Sequence, residues 1–251
     1  MLALDYFTNI VEKMETIKNT QMDAINKAAA EIARRLEKGG ILYVFGSGHS
    51  HVLAEEIYNR AGGLVQARAI IPYELSMEIN HEKAAQMERS DGLGEILASS
   101  QKFRECDVLI VISNSGRNAV PVQMAEGAQK RGIFTICLTN LTHSKSVTSR
   151  DKSGKKLYDF SDIVIDTCGP LGDALVPVPG KNYSIAPAST ILGAFIIELL
   201  VCSVVEAMIA NGCEPLVLRS ANLDGSDEYN RNAKKQITDK YPELKDIFSI
   251  F

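Results

Sequence analysis

The sequence predicts an α/β protein built on a doubly wound, mostly parallel sheet of about five strands, an αβα sandwich preceded by a helical arm. Three observations carry this expectation. Short apolar runs at 41–45, 64–71, 108–112, 133–138 and 163–166 read as strands buried on both faces, the pattern of parallel sheets. Helical periodicities or glycine-closed helical stretches separate most of them, as β-α-β crossovers require. Two runs stop at glycines and small hydroxylated residues and then turn helical, which sets N–H groups and a helix dipole at the sheet's ligand edge.

Residues 4–38 carry apolar positions at spacings of three and four (Leu4, Phe7, Ile10, Val11, Met14, Ile17, then Met22, Ile25, Ala29, Ile32, Leu36) and predict a long amphipathic helix. The spacing drifts near Asn19-Thr20, where a break is expected, and Gly39-Gly40 ends the helix. Strand 41–45 leads into a helix over about 50–61, closed by Gly62-Gly63, and then into strand 64–71. An acidic irregular stretch follows, then 81–89, a helix over 93–103 and strand 108–112. Helix 119–131 stops at Gly132 before strand 133–138. Polar residues 141–161 read as a solvated loop or turn, 163–166 as a short strand, and 168–187 as a long Gly/Pro-rich loop of the kind that carries function. Residues 191–210 form an apolar helix whose Glu198 and Glu206 suit a buried core helix rather than a membrane span. The tail from Pro215 is polar and weakly helical. The expected division is an arm over 1–39, one domain over 40–212 and a tail over 213–251 that belongs to the same unit.

Composition bounds the function. With 45% hydrophobic and 23% charged residues, the 251-residue chain matches a soluble globular protein. A net charge of −4 gives no global attraction to nucleic acid or an anionic membrane, so any anion site is local. Five cysteines, odd in number and without a C-x-x-C pair, indicate neither a disulfide framework nor a zinc site. Cys106, Cys137 and Cys202 read as core thiols. Residues 1–5 lack the pattern of a secretory signal, and a cytoplasmic location is expected.

The chemistry gathers at strand ends. Ser47 and Ser50 follow the first strand, Ser113 and Ser115 the third, and Thr139 the fourth. A lone hydroxyl of this kind is usually a helix cap. In a doubly wound sheet, however, successive carboxyl ends converge and their hydroxyls surround one anion. Gly46-Ser47-Gly48 lacks the third glycine of a dinucleotide loop, and no Gly-Lys-Ser/Thr follows as in a nucleotide P-loop.

Gly46-Ser47-Gly48-His49-Ser50, Ser113-Asn114-Ser115-Gly116 and Thr139 together resemble the sugar isomerase (SIS) phosphosugar-binding family. Over the whole chain, including Ser220 to Gly225, the sequence is most similar to the bacterial UPF0309 group. The resemblance covers about residues 40–210 and implies a flavodoxin-like core, a phosphorylated sugar as ligand, no cofactor or metal, and a homodimer or higher homo-oligomer. It assigns the phosphate to Ser47, Gly48, Ser50, Ser113, Asn114, Ser115, Asn118 and Thr139. Asn118 stands where the family motif commonly has threonine and still donates; Arg117 beside it reinforces an anion site.

The implied activity is aldose–ketose isomerisation through an enediolate, with a non-catalytic sensing module or an amino-sugar-phosphate lyase or etherase as alternatives. Isomerisation needs a base, an acid and dipoles for the enediolate. Ala54-Glu55-Glu56-Ile57 is similar to the stretch that supplies the base carboxylate in sedoheptulose-7-phosphate isomerases, although nearer the glycine loop by about one helical turn. The match carries the role to Glu56, with Glu55 next to it; the alternative is a solvated helix face. His49 and His51 flank Ser50 and are candidates for ring opening or proton transfer. With His81 they are too loosely spaced to specify a metal site. The family's histidine on the late helix is missing, and Glu198, expected on the core side there, is a replacement candidate. Glu74, Glu78, His81, Asp173, Asn222 and Asp224 are weaker candidates for sugar selection.

Overall fold

The computed structural model describes residues 1–77 and 80–248. Five parallel strands, β1 (Leu42–Gly46), β2 (Ala67–Ile70), β3 (Val108–Ile112), β4 (Phe134–Thr139) and β5 (Ile163–Asp166), form one sheet in the order β2-β1-β3-β4-β5. The chain order reverses between β1 and β3, and in such sheets the crevice at that reversal takes the ligand.

Side-chain alternation divides the core in two. Leu42, Val44, Val108, Ile110, Ile136 and Leu138 point to one face, where α1 (Leu2–Leu36), α2 (His51–Glu56) and α7 (Ser189–Ala210) cover them. Tyr43, Phe45, Leu109, Val111 and Cys137 point to the other, under α4 (Leu93–Ser100), α5 (Ala119–Lys130) and the tail with α8 (Ser226–Lys240). Both faces are dry, which is why the strands read as unbroken apolar runs.

α1 is one continuous helix through Asn19-Thr20, where the Thr20 hydroxyl donates to the Thr16 carbonyl at 2.7 Å instead of interrupting the backbone. It packs along α7 through Ile17, Ile25, Ala29 and Ile32. α7 is long and apolar enough to cross a membrane, yet Leu192, Ile196, Ile197, Leu200 and Val204 are buried within this fold. Glu198 is exposed on it, not on the core side, because it lies off the stripe of Ile197 and Leu200. Cys202 is likewise exposed and Cys106 half-buried, leaving Cys137 as the buried thiol of the three expected in the core.

Three further segments differ from the sequence pattern. The helix after β1 is a 3-10 turn at Gly48–Ser50 followed by only the short α2. Residues 141–146 form a helix, α6 (Leu141–Ser146), because Asn140 caps it: its side-chain oxygen accepts the His143 N–H at 2.9 Å. The Gly/Pro-rich stretch folds back as an antiparallel hairpin, β6 (Ala174–Pro177) with β7 (Ser184–Pro187). The tail is tied down beside the entry to β2, where Gly62 and Val65 donate to the Leu218 and Leu216 carbonyls.

Candidate functional site

An open cleft of about 790 Å³ lies over the carboxyl ends of β1 and β3. Ser47, Gly48, His49 and Ser50 line it from the first loop and Ser113, Asn114, Ser115 and Asn118 from the second. Met77, Ala84, Ala85 and Glu88 close it from the β2–β3 crossover, and Asp173 and Ser189 from the base of α7. Nine of the sequence-predicted residues, Asp173 included, therefore come together here, with His49 at the exposed lip.

The first loop can turn so tightly because Gly46 has no side chain. A Cβ there would stand 2.2 Å from the Ser50 carbonyl oxygen and 2.9 Å from the His51 nitrogen. Gly48 follows with φ +56°, a left-handed conformation that glycine adopts without strain. His51 is buried, and its Nδ1 donates to the Gly48 carbonyl, so it braces the turn from behind instead of facing the cleft.

The second loop is held by its own hydroxyls. Ser113 Oγ accepts the Gly116 N–H at 3.2 Å. Thr139 is fully buried and its hydroxyl donates to the Ser113 carbonyl at 2.7 Å, with a second contact to the Asn114 carbonyl at 3.3 Å. It shapes the loop and does not line the cleft. Asn114 Oδ1 is buried and has no hydrogen-bond partner among the described residues. A buried amide oxygen left unpaired costs about 1–3 kcal/mol, which a ligand hydroxyl would relieve.

The carboxylates are placed otherwise than the motif suggests. Glu56 ends α2, pairs with Arg60 one turn on, and is not among the cleft residues; Glu55 is exposed beside it. Glu88, at the end of α3 (His81–Met87), enters the cleft instead. Its Oε1 accepts the Ser47 hydroxyl at 2.7 Å and its Oε2 the Asn118 amide at 2.7 Å, so one carboxylate ties the two loops together. No local motif marks Glu88. The available signal is topological: a chain leaving the carboxyl end of β2 stays at the ligand edge until α4 carries it back down.

The remaining candidates divide. Asp173, at φ +73°, accepts from the Ala188 and Ser189 N–H groups and the Ser189 hydroxyl, and so fixes the start of α7. Glu74, His81, Asn222 and Asp224 are exposed and outside the cleft lining, and Glu78 lies outside the described residues. Among the described residues, no group of three or more His, Cys, Asp or Glu side chains is arranged to hold a metal ion.

Fold and cleft together define a class, and the comparisons agree. The sequence model of the SIS domain matches residues 5–140, and the chain belongs to that family. Within it the chain belongs to the UPF0309 group. It is 41% identical to a UPF0309 protein of Halalkalibacterium halodurans, over 90% of this chain and 93% of that one. It is 37% identical to one of Geobacillus kaustophilus, over 95% of each. Two solved structures share the fold: a phosphoheptose isomerase from Francisella tularensis (TM-score 0.53, 21% identity, 81% of this chain and 98% of that one) and the sugar isomerase domain of an RpiR transcription factor from Sphaerobacter thermophilus (TM-score 0.50, 16% identity, 95% and 98%).

Proposed function

We propose that the chain binds a phosphorylated sugar in this cleft and isomerises it between aldose and ketose forms, with Glu88 moving the proton. The observation that carries the reading is the placement of Glu88 between two neutral donor loops. Ser47, Ser50, Ser113 and Ser115, with the backbone N–H groups beside them, offer a phosphate hydrogen bonds without a charge of their own. Glu88 supplies what an enediolate reaction needs next: a fixed carboxylate to take the proton beside the carbonyl and return it to the neighbouring carbon. Asn114, which lines the cleft and carries an unpaired amide oxygen, is the group read as contacting a sugar hydroxyl, and His49 at the lip the group read as assisting ring opening.

The family membership and a shared fold with a phosphoheptose isomerase support the ligand class. Glu56, held by Arg60 away from the cleft, is read as a helix-end charge, and Thr139 as a support of the second loop.

The test is deuterium uptake in D₂O at C1 of fructose 6-phosphate and at C2 of its aldose partner. Uptake with interconversion, abolished in Glu88→Gln and kept in Glu56→Gln, is expected. Uptake with loss of a ring substituent would point to a lyase, and saturable binding without uptake to a sensing module.

A further inference from the structure

Three arginines beside Glu88 and Asn118, none of them among the residues that line the cleft, have no part in the reading above. Arg89 follows Glu88 directly, Arg117 precedes Asn118, and Arg150 donates from Nη1 to Asn118 Oδ1 at 3.0 Å. The Arg150 N–H also donates to the Arg117 carbonyl at 2.8 Å, which brings the two residues together. Elsewhere in the chain Arg104 meets Asp107 at 2.8 Å, Arg131 meets Glu95 at 2.8 Å and Arg34 meets Glu31 at 2.6 Å, while the half-buried Arg68 donates to the Val65 and Ala67 carbonyls and lies over the Phe248 ring. Among the described residues, Arg89, Arg117 and Arg150 have no carboxylate within 4.0 Å. Arg117 gives one N–H to Thr148 at 3.2 Å, and its Nε is buried with no partner.

The cluster is therefore electrostatically incomplete. Set against Glu88, three guanidinium groups leave a local surplus of positive charge in a chain whose net charge is −4. Their mutual repulsion is felt: Arg150 is less basic than usual, first through burial and then through Arg117 and Arg89. An arrangement of like charges held beside a cleft is stabilised by an anion from outside.

Position separates this anion from the phosphate. Ser47, Glu88, Asn118 and Arg150 form one line of hydrogen bonds of 2.7, 2.7 and 3.0 Å. Ser47 stands at one end of that line and the Arg150 guanidinium at the other, with the Glu88 carboxylate and the Asn118 amide between them.

Building on the phosphosugar reading, we propose that the arginines form a second anion subsite and that the substrate class is a sugar phosphate bearing another anionic group, a carboxylate or a second phosphate, at its far end. The test is calorimetric titration of the whole chain at low ionic strength with fructose 6-phosphate, fructose 1,6-bisphosphate and 6-phosphogluconate. One of the two ligands with a second anionic group is expected to bind at least tenfold more tightly than fructose 6-phosphate, and which one does so tells phosphate from carboxylate. The paired substitution Arg89→Gln/Arg150→Gln is expected to erase that preference with monophosphate affinity held within about twofold and an unchanged melting temperature, while Ser113→Ala weakens all three ligands alike.

Equal affinity for the three ligands, or a preference that survives the paired substitution, overturns the subsite. So does an equal loss for the monophosphate and the others, which would make the arginines part of a single phosphate site. Absence of binding by all three overturns the phosphosugar reading itself.

Discussion

Replacing Gly46 by alanine tests the cleft at its tightest point. The added Cβ would lie 2.2 Å from the Ser50 oxygen, 2.5 Å from its carbonyl carbon and 2.9 Å from the His51 nitrogen, where ordinary contact begins at 3.4 Å. All three atoms are backbone, so no side chain can rotate away, and the 3-10 turn must retreat by about 1 Å. Overpacking of this kind costs about 1–3 kcal/mol, or roughly 2–12 °C in melting temperature for a chain of this size. The larger effect falls on the ligand. A hydrogen bond of about 2.9 Å lengthened by that amount is no longer one. Each bond lost to a charged acceptor costs about 1.5–3 kcal/mol, so phosphate affinity is expected to drop at least tenfold. Gly48→Ala is the companion variant. Its φ of +56° makes alanine strained by about 1–2 kcal/mol, but the nearest atom to its Cβ is Met77 Sδ at 3.9 Å, so the turn keeps its path. Titration with fructose 6-phosphate should then find Gly48→Ala within about threefold of the native chain. Native-like binding by Gly46→Ala, or equal losses in the two variants, would refute the steric argument.

Other perturbations bear on the supports of the site. Asp173→Ala removes three hydrogen bonds at the start of α7 and puts alanine at φ +73°, so a loss of about 2–3 kcal/mol is expected, with Asp173→Asn milder; thermal melting of the pair checks it, and equal melting would sink it. His143 titrates below its usual 6.5, first through burial and then through Arg117, and its Nδ1 accepts the Gly172 N–H at 3.1 Å, which requires that nitrogen unprotonated. The unfolded chain therefore binds the proton more readily, and stability should fall as pH drops through the histidine range towards the lowered folded value. An NMR titration of the ring should show this midpoint rising in Arg117→Gln; a native midpoint at or above 6.5 contradicts it. Met1, Leu4, Phe7 and Val11 are exposed along one side of α1 at helical spacing, and we propose that this stripe carries the self-association the sequence leads one to expect. Sedimentation should find an oligomer at micromolar concentration and a monomer for Phe7→Glu, whereas a monomeric native chain removes the proposal.

What could be read from the sequence follows from how far each determinant reaches along the chain. The strands were legible because burial on two faces forces continuous apolar runs, and the loops after β1 and β3 were legible because glycine and hydroxyl chemistry is local to each turn. Residues 41–50 and 108–118 thus announce the anion end of the cleft by themselves. The end proposed to move the proton has no such local text. Glu88 acquires its neighbours only when the β2–β3 crossover folds over the strand ends, bringing it to Ser47, 41 positions away, and to Asn118, 30 positions away. Glu56 attracted the role because it stands in a familiar stretch, but α2 runs only six residues and ends there. Its carboxylate therefore sits one turn from Arg60 and meets that charge instead of a substrate. Thr139 shows the same limit from the other side: the residue at the end of β4 has the expected hydroxyl, and full burial turns it on the neighbouring backbone. Phosphate recognition can be written in a single turn because backbone N–H groups and one hydroxyl suffice for it, whereas proton transfer requires a charge held at the right distance from that turn, and only the fold sets distances.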